Sequence, residues 1–210
     1  MPDAAILANA AFAGLAAPGR FGAETAAPGV TLRETTQVAL ASVIARKGQA
    51  AALALAAQRA FFLDLPVAPR RAGTPHLAFT SAGPGQWLAS DSGGDSDALA
   101  SRLTAAFSGL AAVAAHGDGR AVLRIAGPRA RDTLAKGLPL DLHERAFKPG
   151  DTAMSVIAHM GVHITQLDAA PSYEIILPRS FAASFWHWLT AAAGEFGYET
   201  EAPLAPEVQG

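Results

Sequence analysis

The sequence predicts an α+β fold made of two pseudo-repeated strand–helix–strand–strand–helix modules that form one compact body. Three observations predict it. Half of the 210 residues are apolar, enough to bury a core without metals or disulfides. Apolar runs of strand length alternate with runs of strong helix formers. The order of elements and the style of the turns recur in the two halves of the chain.

Residues 1–36 read as an extended lead-in. Ala4 to Gly19 is uncharged and rich in Ala, yet Asp3 stands where a signal peptide needs a cation, and the first basic residue is Arg20. The stretch has too few large apolar residues to span a membrane, and is expected to form a loose tail or a short surface helix. Residues 37–116 form the first α/β module. Val38–Ala45 is an apolar, β-branched strand. A helix of strong formers follows from Gln49 to Phe62, and Pro66 prevents its continuation. His76–Thr80 and Gln86–Ser90 form a hairpin turned at Gly83-Pro84-Gly85. Asp95 or Ser96 caps a helix with Leu99, Leu103 and Phe107 on one face. A connecting strand at Ala111–Ala115 completes the module.

Residues 117–200 form the second α/β module. Ala121–Ala126 is a strand, and Gly127-Pro128 opens a helix that Lys136-Gly137 ends. Strands at Ala153–His159, Val162–Leu167 and Tyr173–Leu177 follow. Ser180 is expected to cap a final helix on which Phe181, Phe185, Trp188 and Leu189 share a face. This half therefore inserts one additional strand, and one continuous core is expected to span both halves. Residues 201–210 read as a C-terminal tail.

Composition narrows the function. Without Cys there is no disulfide, thiolate nucleophile or Cys-ligated metal. A formal net charge of −2 argues against a nucleic-acid partner. The absence of Cys fits a reducing compartment, and a soluble, cytoplasmic chain with no membrane partner is expected.

Several places resemble sites in part. Asp91-Ser92-Gly93-Gly94 has the look of a serine-nucleophile loop, but no upstream His and Asp activate it, and a strand-to-helix turn is the expected role. Gly83-Pro84-Gly85 and Gly117-Asp118-Gly119 lead into strands, so they read as turns rather than dinucleotide fingerprints. His159 and His163 stand four apart, but Gly161, Val162 and Ile164 favour strands over a metal-binding helix, and two half-buried histidines are expected. Asp141 and Glu144 read as part of a surface connection.

Four residues remain as candidate partner or anion contacts. Arg129 and Arg131 fall in the first helical turn after Gly127-Pro128, where cations oppose the macrodipole. Such a break in preference suits either an anion site or two solvated arginines. Trp186 and His187 fall off the expected apolar stripe of the last helix, so Trp186 is buried either under the N-terminal segment or against another chain. No catalytic residue, cofactor-binding residue or metal ligand is assigned.

Three segments carry a family resemblance: "AVLRIAGPRARDTLAKGLPLDLHERAFKPGD", "LDAAPSYEIILPRSFAASFWHWLTAAA" and "AFTSAGPGQWLA". From about Val38 to Ala193 the chain resembles the gamma subunit of heterotetrameric sarcosine oxidase. The resemblance implies a fold similar to the folate-binding domain of the glycine-cleavage T-protein, with its internal repeat. It also implies a non-catalytic structural role beside alpha, beta and delta subunits. That complex oxidatively demethylates sarcosine to glycine, with hydrogen peroxide and methylenetetrahydrofolate as products. FAD, FMN, NAD and tetrahydrofolate are expected on partner subunits and none on this chain. The alternative is a stand-alone folate- or anion-binding protein of the same fold.

Overall fold

The computed structural model describes residues 10–203. The chain divides into two compact units, one of residues 10–36 and 118–203, the other of residues 37–117. Each has its own sheet and its own cluster of buried residues. The single continuous core expected from the sequence is thus corrected to two.

Two strands open the described chain, β1 (Gly19–Phe21) and β2 (Val30–Glu34). The unit of residues 37–117 then runs β3 (Val38–Ala45), α1 (Ala50–Phe61), β4 (Arg71–Thr74), β5 (Leu77–Gly83), β6 (Gln86–Ser92), α2 (Ser96–Ala106) and β7 (Ala111–Ala115). Its strands lie in the order β4-β5-β6-β3-β7, antiparallel throughout. The α1 helix stops at Phe62, whose left-handed backbone (φ 57°) donates its N–H to Gln58 O, before Pro66 can act. Of the two caps the sequence offers for α2, Asp95 is the one used, accepting the Ala98 N–H at 2.8 Å. Leu53 and Ala57 of α1 and Leu99 and Leu103 of α2 join Val43, Phe79 and Trp87 of the strands in one cluster.

The other unit continues with β8 (Arg120–Ala126), α3 (Ala130–Ala135), β9 (Thr152–Ile157), β10 (Met160–Asp168), β11 (Ser172–Pro178), α4 (Ala182–Ala193) and β12 (Tyr198–Thr200). Its strands lie in the order β1-β12-β2-β8-β11-β10-β9. The described part of the lead-in is therefore no separate segment, since β1 and β2 are strands of this sheet.

The pseudo-repeat is closer than the sequence indicates. From β3 in one unit and from β8 in the other, the order is strand, helix, three strands, helix, strand, and β1 and β2 are additional to it. The "additional" strand of the second half has its counterpart in β4, which the Gly- and Pro-rich sequence around it concealed. In both units the last strand runs antiparallel to the first. The difference is that β7 pairs β3 directly, whereas β2 lies between β8 and β12, antiparallel to one and parallel to the other.

Two local expectations change. Ser180 is exposed in a 3-10 turn (Arg179–Phe181), and α4 starts after it without a side-chain cap. The buried face of α4 is Ala182, Phe185, Trp186, Leu189, Ala192 and Ala193, while Phe181 is exposed and Trp188 half-buried. Part of the Ala4–Gly19 stretch and most of the tail at 201–210 lie outside the described residues. Within 10–16 the backbone makes a tight turn, with the Leu15 and Ala16 N–H groups donating to Phe12 O.

Candidate functional site

The turn from β8 into α3 explains why Gly and Pro stand together there. Gly127 has φ 110°, and a Cβ on it would lie 2.6 Å from Gly29 O. The same carbonyl accepts the Arg129 N–H at 2.9 Å. The close approach of the backbone ahead of β2 thus requires a residue without a side chain. The α3 helix that follows has only six residues, with Arg129 at its N-cap position rather than in its first turn.

The two arginines part company. Arg129 Nε pairs with Asp132 at 2.9 Å, and its guanidinium lies 4.3 Å from the centroid of the Phe196 ring. Lys136 Nζ covers the same ring at 4.5 Å. Arg129 is thus held by intramolecular contacts. Arg131 instead donates from Nε to the Tyr173 hydroxyl at 3.0 Å. Tyr173 is fully buried, and that burial raises its hydroxyl pKa, with the Arg131 hydrogen bond and charge acting the other way.

Arg131 lines an open cleft of about 400 Å³ with Glu144, Arg145, Phe147, Lys148, Gln166 and Ala169. Its far wall is built by the loop between α3 and β9. There the Asp141 carboxylate accepts the His143 N–H and the Asp151 carboxylate accepts the Lys148 N–H, both at 2.8 Å. Gln166 of β10 ties that loop to the sheet. It accepts the Gly150 N–H at 2.8 Å and donates its own N–H to Asp151 O at 3.0 Å.

The candidate Trp186 is a core residue of this unit, 8 % exposed, with its ring centroid 5.6 Å from that of Phe12. Of the two fates open in the sequence, burial under the N-terminal segment is the one seen. His187 is exposed on α4. The structure therefore does not gather the four candidates: Arg129 and Arg131 engage different partners, and Trp186 is internal.

The other sequence features also find places. Asp91 pairs with Arg102 at 2.9 Å, and Gly93 donates to Gln37 O, which makes that run a β6-to-α2 turn. Gly83 and Gly85 flank the turn of the β5–β6 hairpin. The expected pair of half-buried strand histidines is corrected. His159 is exposed in the β9–β10 turn with φ 69°, whereas His163 is buried in β10. Among the described residues no group of three His, Asp or Glu side chains could hold a metal ion.

Sequence reasoning missed Arg145, Lys148 and Gln166. A signal for the first two was present in "HERAFKPGD", where charges sit beside a Pro-Gly turn. Gln166 carries no sequence mark, since its burial follows from the sheet that surrounds it.

Comparison with known proteins then gives a consistent result. The sequence model described as "Sarcosine oxidase, gamma subunit family" matches residues 47–195. A curated relative, the sarcosine oxidase subunit gamma of Arthrobacter sp, is 33% identical over 175 residues, covering 82% of this chain and 84% of that protein. The corresponding subunit of Corynebacterium sp. (strain P-1) is 38% identical over 81 residues, covering 38% and 39%. Among solved structures, a chain of the heterotetrameric sarcosine oxidase from Corynebacterium sp. U-96 in complex with pyrrole 2-carboxylate is similar, with a TM-score of 0.72 and 29% identity over 87% of this chain and 91% of that one. The glycine cleavage system aminomethyltransferase T from Bartonella henselae shares the fold, with a TM-score of 0.59 and 18% identity over 84% of this chain and 48% of that one.

Proposed function

Because the chain belongs to the sarcosine oxidase gamma subunit family, we propose that it is a non-catalytic structural subunit of a heterotetrameric sarcosine oxidase. Its partners are alpha, beta and delta subunits in the cytoplasm. The assembled complex demethylates sarcosine oxidatively to glycine, and FAD, FMN, NAD and tetrahydrofolate are held by the partner chains. The observation that carries this reading is the match along nearly the whole chain to a chain of a heterotetrameric sarcosine oxidase.

The local chemistry supports the same role. Asp91 is tied to Arg102, Asp141 to a turn N–H and Arg129 to Asp132. No helix of the described chain is long and apolar enough to cross a membrane. One observation favours a second reading, a stand-alone anion- or folate-binding protein: the cleft around Arg131 is cationic.

Co-expression with the three other subunits tests the proposal. The chain should co-purify with them in equal amounts. Alone it should be colourless and produce no peroxide from sarcosine, and calorimetry should detect no saturable tetrahydrofolate binding. A chain that remains alone and binds tetrahydrofolate would favour the second reading.

A further inference from the structure

Within the unit of residues 10–36 and 118–203, several cations are neutralised internally. Arg20, Arg33, Arg124, Arg129 and Lys136 each have a carboxylate partner. The three cations lining the cleft, Arg131, Arg145 and Lys148, have no ion pair among the described residues, and Glu144 is the one acidic side chain in the lining. This concentration of unpaired positive charge stands out in a chain of net charge −2.

Two details shape what the cleft can take. The Tyr173 hydroxyl holds Arg131 by Nε, which fixes the guanidinium plane and leaves its terminal nitrogens for a bidentate carboxylate contact. Gln166, 1 % exposed, also lines the cleft. Its Nε2 donates to Asp168 O at 2.9 Å, but its Oε1 accepts no hydrogen bond, an unfavourable state for a buried acceptor. Arg131, so held, therefore suits a ligand that brings a carboxylate. Phe147 and Ala169 add apolar surface. A polypeptide segment bearing Asp or Glu has both a carboxylate and an apolar part, whereas sulfate has no apolar part.

We infer that this cleft receives an acidic segment of a partner subunit, with a side-chain carboxylate among Arg131, Arg145 and Lys148. The inference rests on the reading of the chain as a subunit of a larger complex, and names where and by what chemistry one contact is made.

The test uses the co-expressed complex immobilised through another subunit. The Arg145→Gln/Lys148→Gln variant removes two exposed charges and leaves the Arg131–Tyr173 contact intact. Arg20→Gln, which removes a cation paired with Glu199, is the control. Retention of the wild-type chain establishes the subunit reading on its own, and loss of the wild-type chain would refute that reading rather than the site. With wild type retained, the double variant should bind at least about tenfold more weakly at low salt, with a flatter salt dependence. The control should match wild type. If the double variant does not melt as wild type does, Arg145→Gln alone should weaken binding by at least about threefold. Wild-type affinity and salt dependence in a folded variant would overturn the proposal. So would calorimetric binding of citrate that the variant loses while its assembly is unchanged, because the cleft would then be a small-anion site.

Discussion

The rings of Phe12 and Trp186 meet at 5.6 Å with their planes tilted by 49°, and both are buried. This contact seats the turn at residues 10–16 on α4. Replacing a buried Trp by Ala typically costs about 3–5 kcal/mol, from lost burial and the cavity left behind. Trp186→Ala should therefore lower the urea midpoint of the isolated chain strongly and expose the N-terminal turn to proteolysis. An unchanged midpoint would show that Trp186 does not support this unit.

The same turn rests on a buried carboxylate. Glu34 accepts the N–H groups of Ala11 and Phe12. Burial raises its pKa above the ordinary value of 4.5, against the lowering effects of those two N–H groups and of Arg179. The folded chain then holds this proton more tightly than the unfolded chain. The associated stability is fully present below the ordinary value and is lost as pH rises through the folded one. Urea unfolding from about pH 4 to about pH 7 should show this decline, and Glu34→Gln should flatten it. An equal slope in both proteins would assign the pH dependence to other groups.

Local signals made much of this fold legible. Val38–Ala45 and Ala111–Ala115 lie where composition and turn residues place them. The repeat was also legible from turn chemistry, and the structure gives the reason. Trp87 pairs Ser81 and Tyr173 pairs Gln166, each immediately before a register shift that closes the hairpin. What remained hidden depends on distant partners. The five residues of β2 acquire meaning only between β8 and β12. Trp186 was misplaced because Ser180 invited an early helix start, which put Phe181 and Trp188 on the buried face. The cleft was legible only at Arg131, since its other cations come from a loop that the sheet brings alongside.

Gly127→Ala tests the close approach at the β8–α3 turn. An Ala there would adopt a left-handed backbone and place its Cβ 2.6 Å from Gly29 O. Backbone strain of this kind costs roughly 1–3 kcal/mol, and the forced shift adds to it. The variant should lose at least about 2 kcal/mol in urea unfolding. Gly48→Ala is the informative control. Its φ is 76°, but nothing lies within 4 Å of the added Cβ, so only the strain applies. Equal losses would show that the contact with Gly29 contributes nothing.

Arg131 and Tyr173 should behave as a coupled pair. The Tyr173 hydroxyl sits on a fully buried ring and receives the Arg131 Nε–H at 3.0 Å. Arg131→Ala withdraws that donor and leaves the hydroxyl with a poorer environment, at a cost of about 1–3 kcal/mol. Tyr173→Phe removes the hydroxyl and should cost about 1 kcal/mol. Once Phe is present, removing the arginine has no buried polar group to strand, so the double variant should lose less than the sum of the single losses. Arg129→Ala supplies the contrast. That side chain is half-exposed and pairs with Asp132 at the surface, so its loss should cost no more than about 1 kcal/mol. Urea unfolding of the four proteins, with Arg129→Ala as a fifth, measures each term. Additive losses for Arg131→Ala and Tyr173→Phe would mean that the 3.0 Å contact carries no coupling and that Tyr173 does not orient the guanidinium toward the cleft.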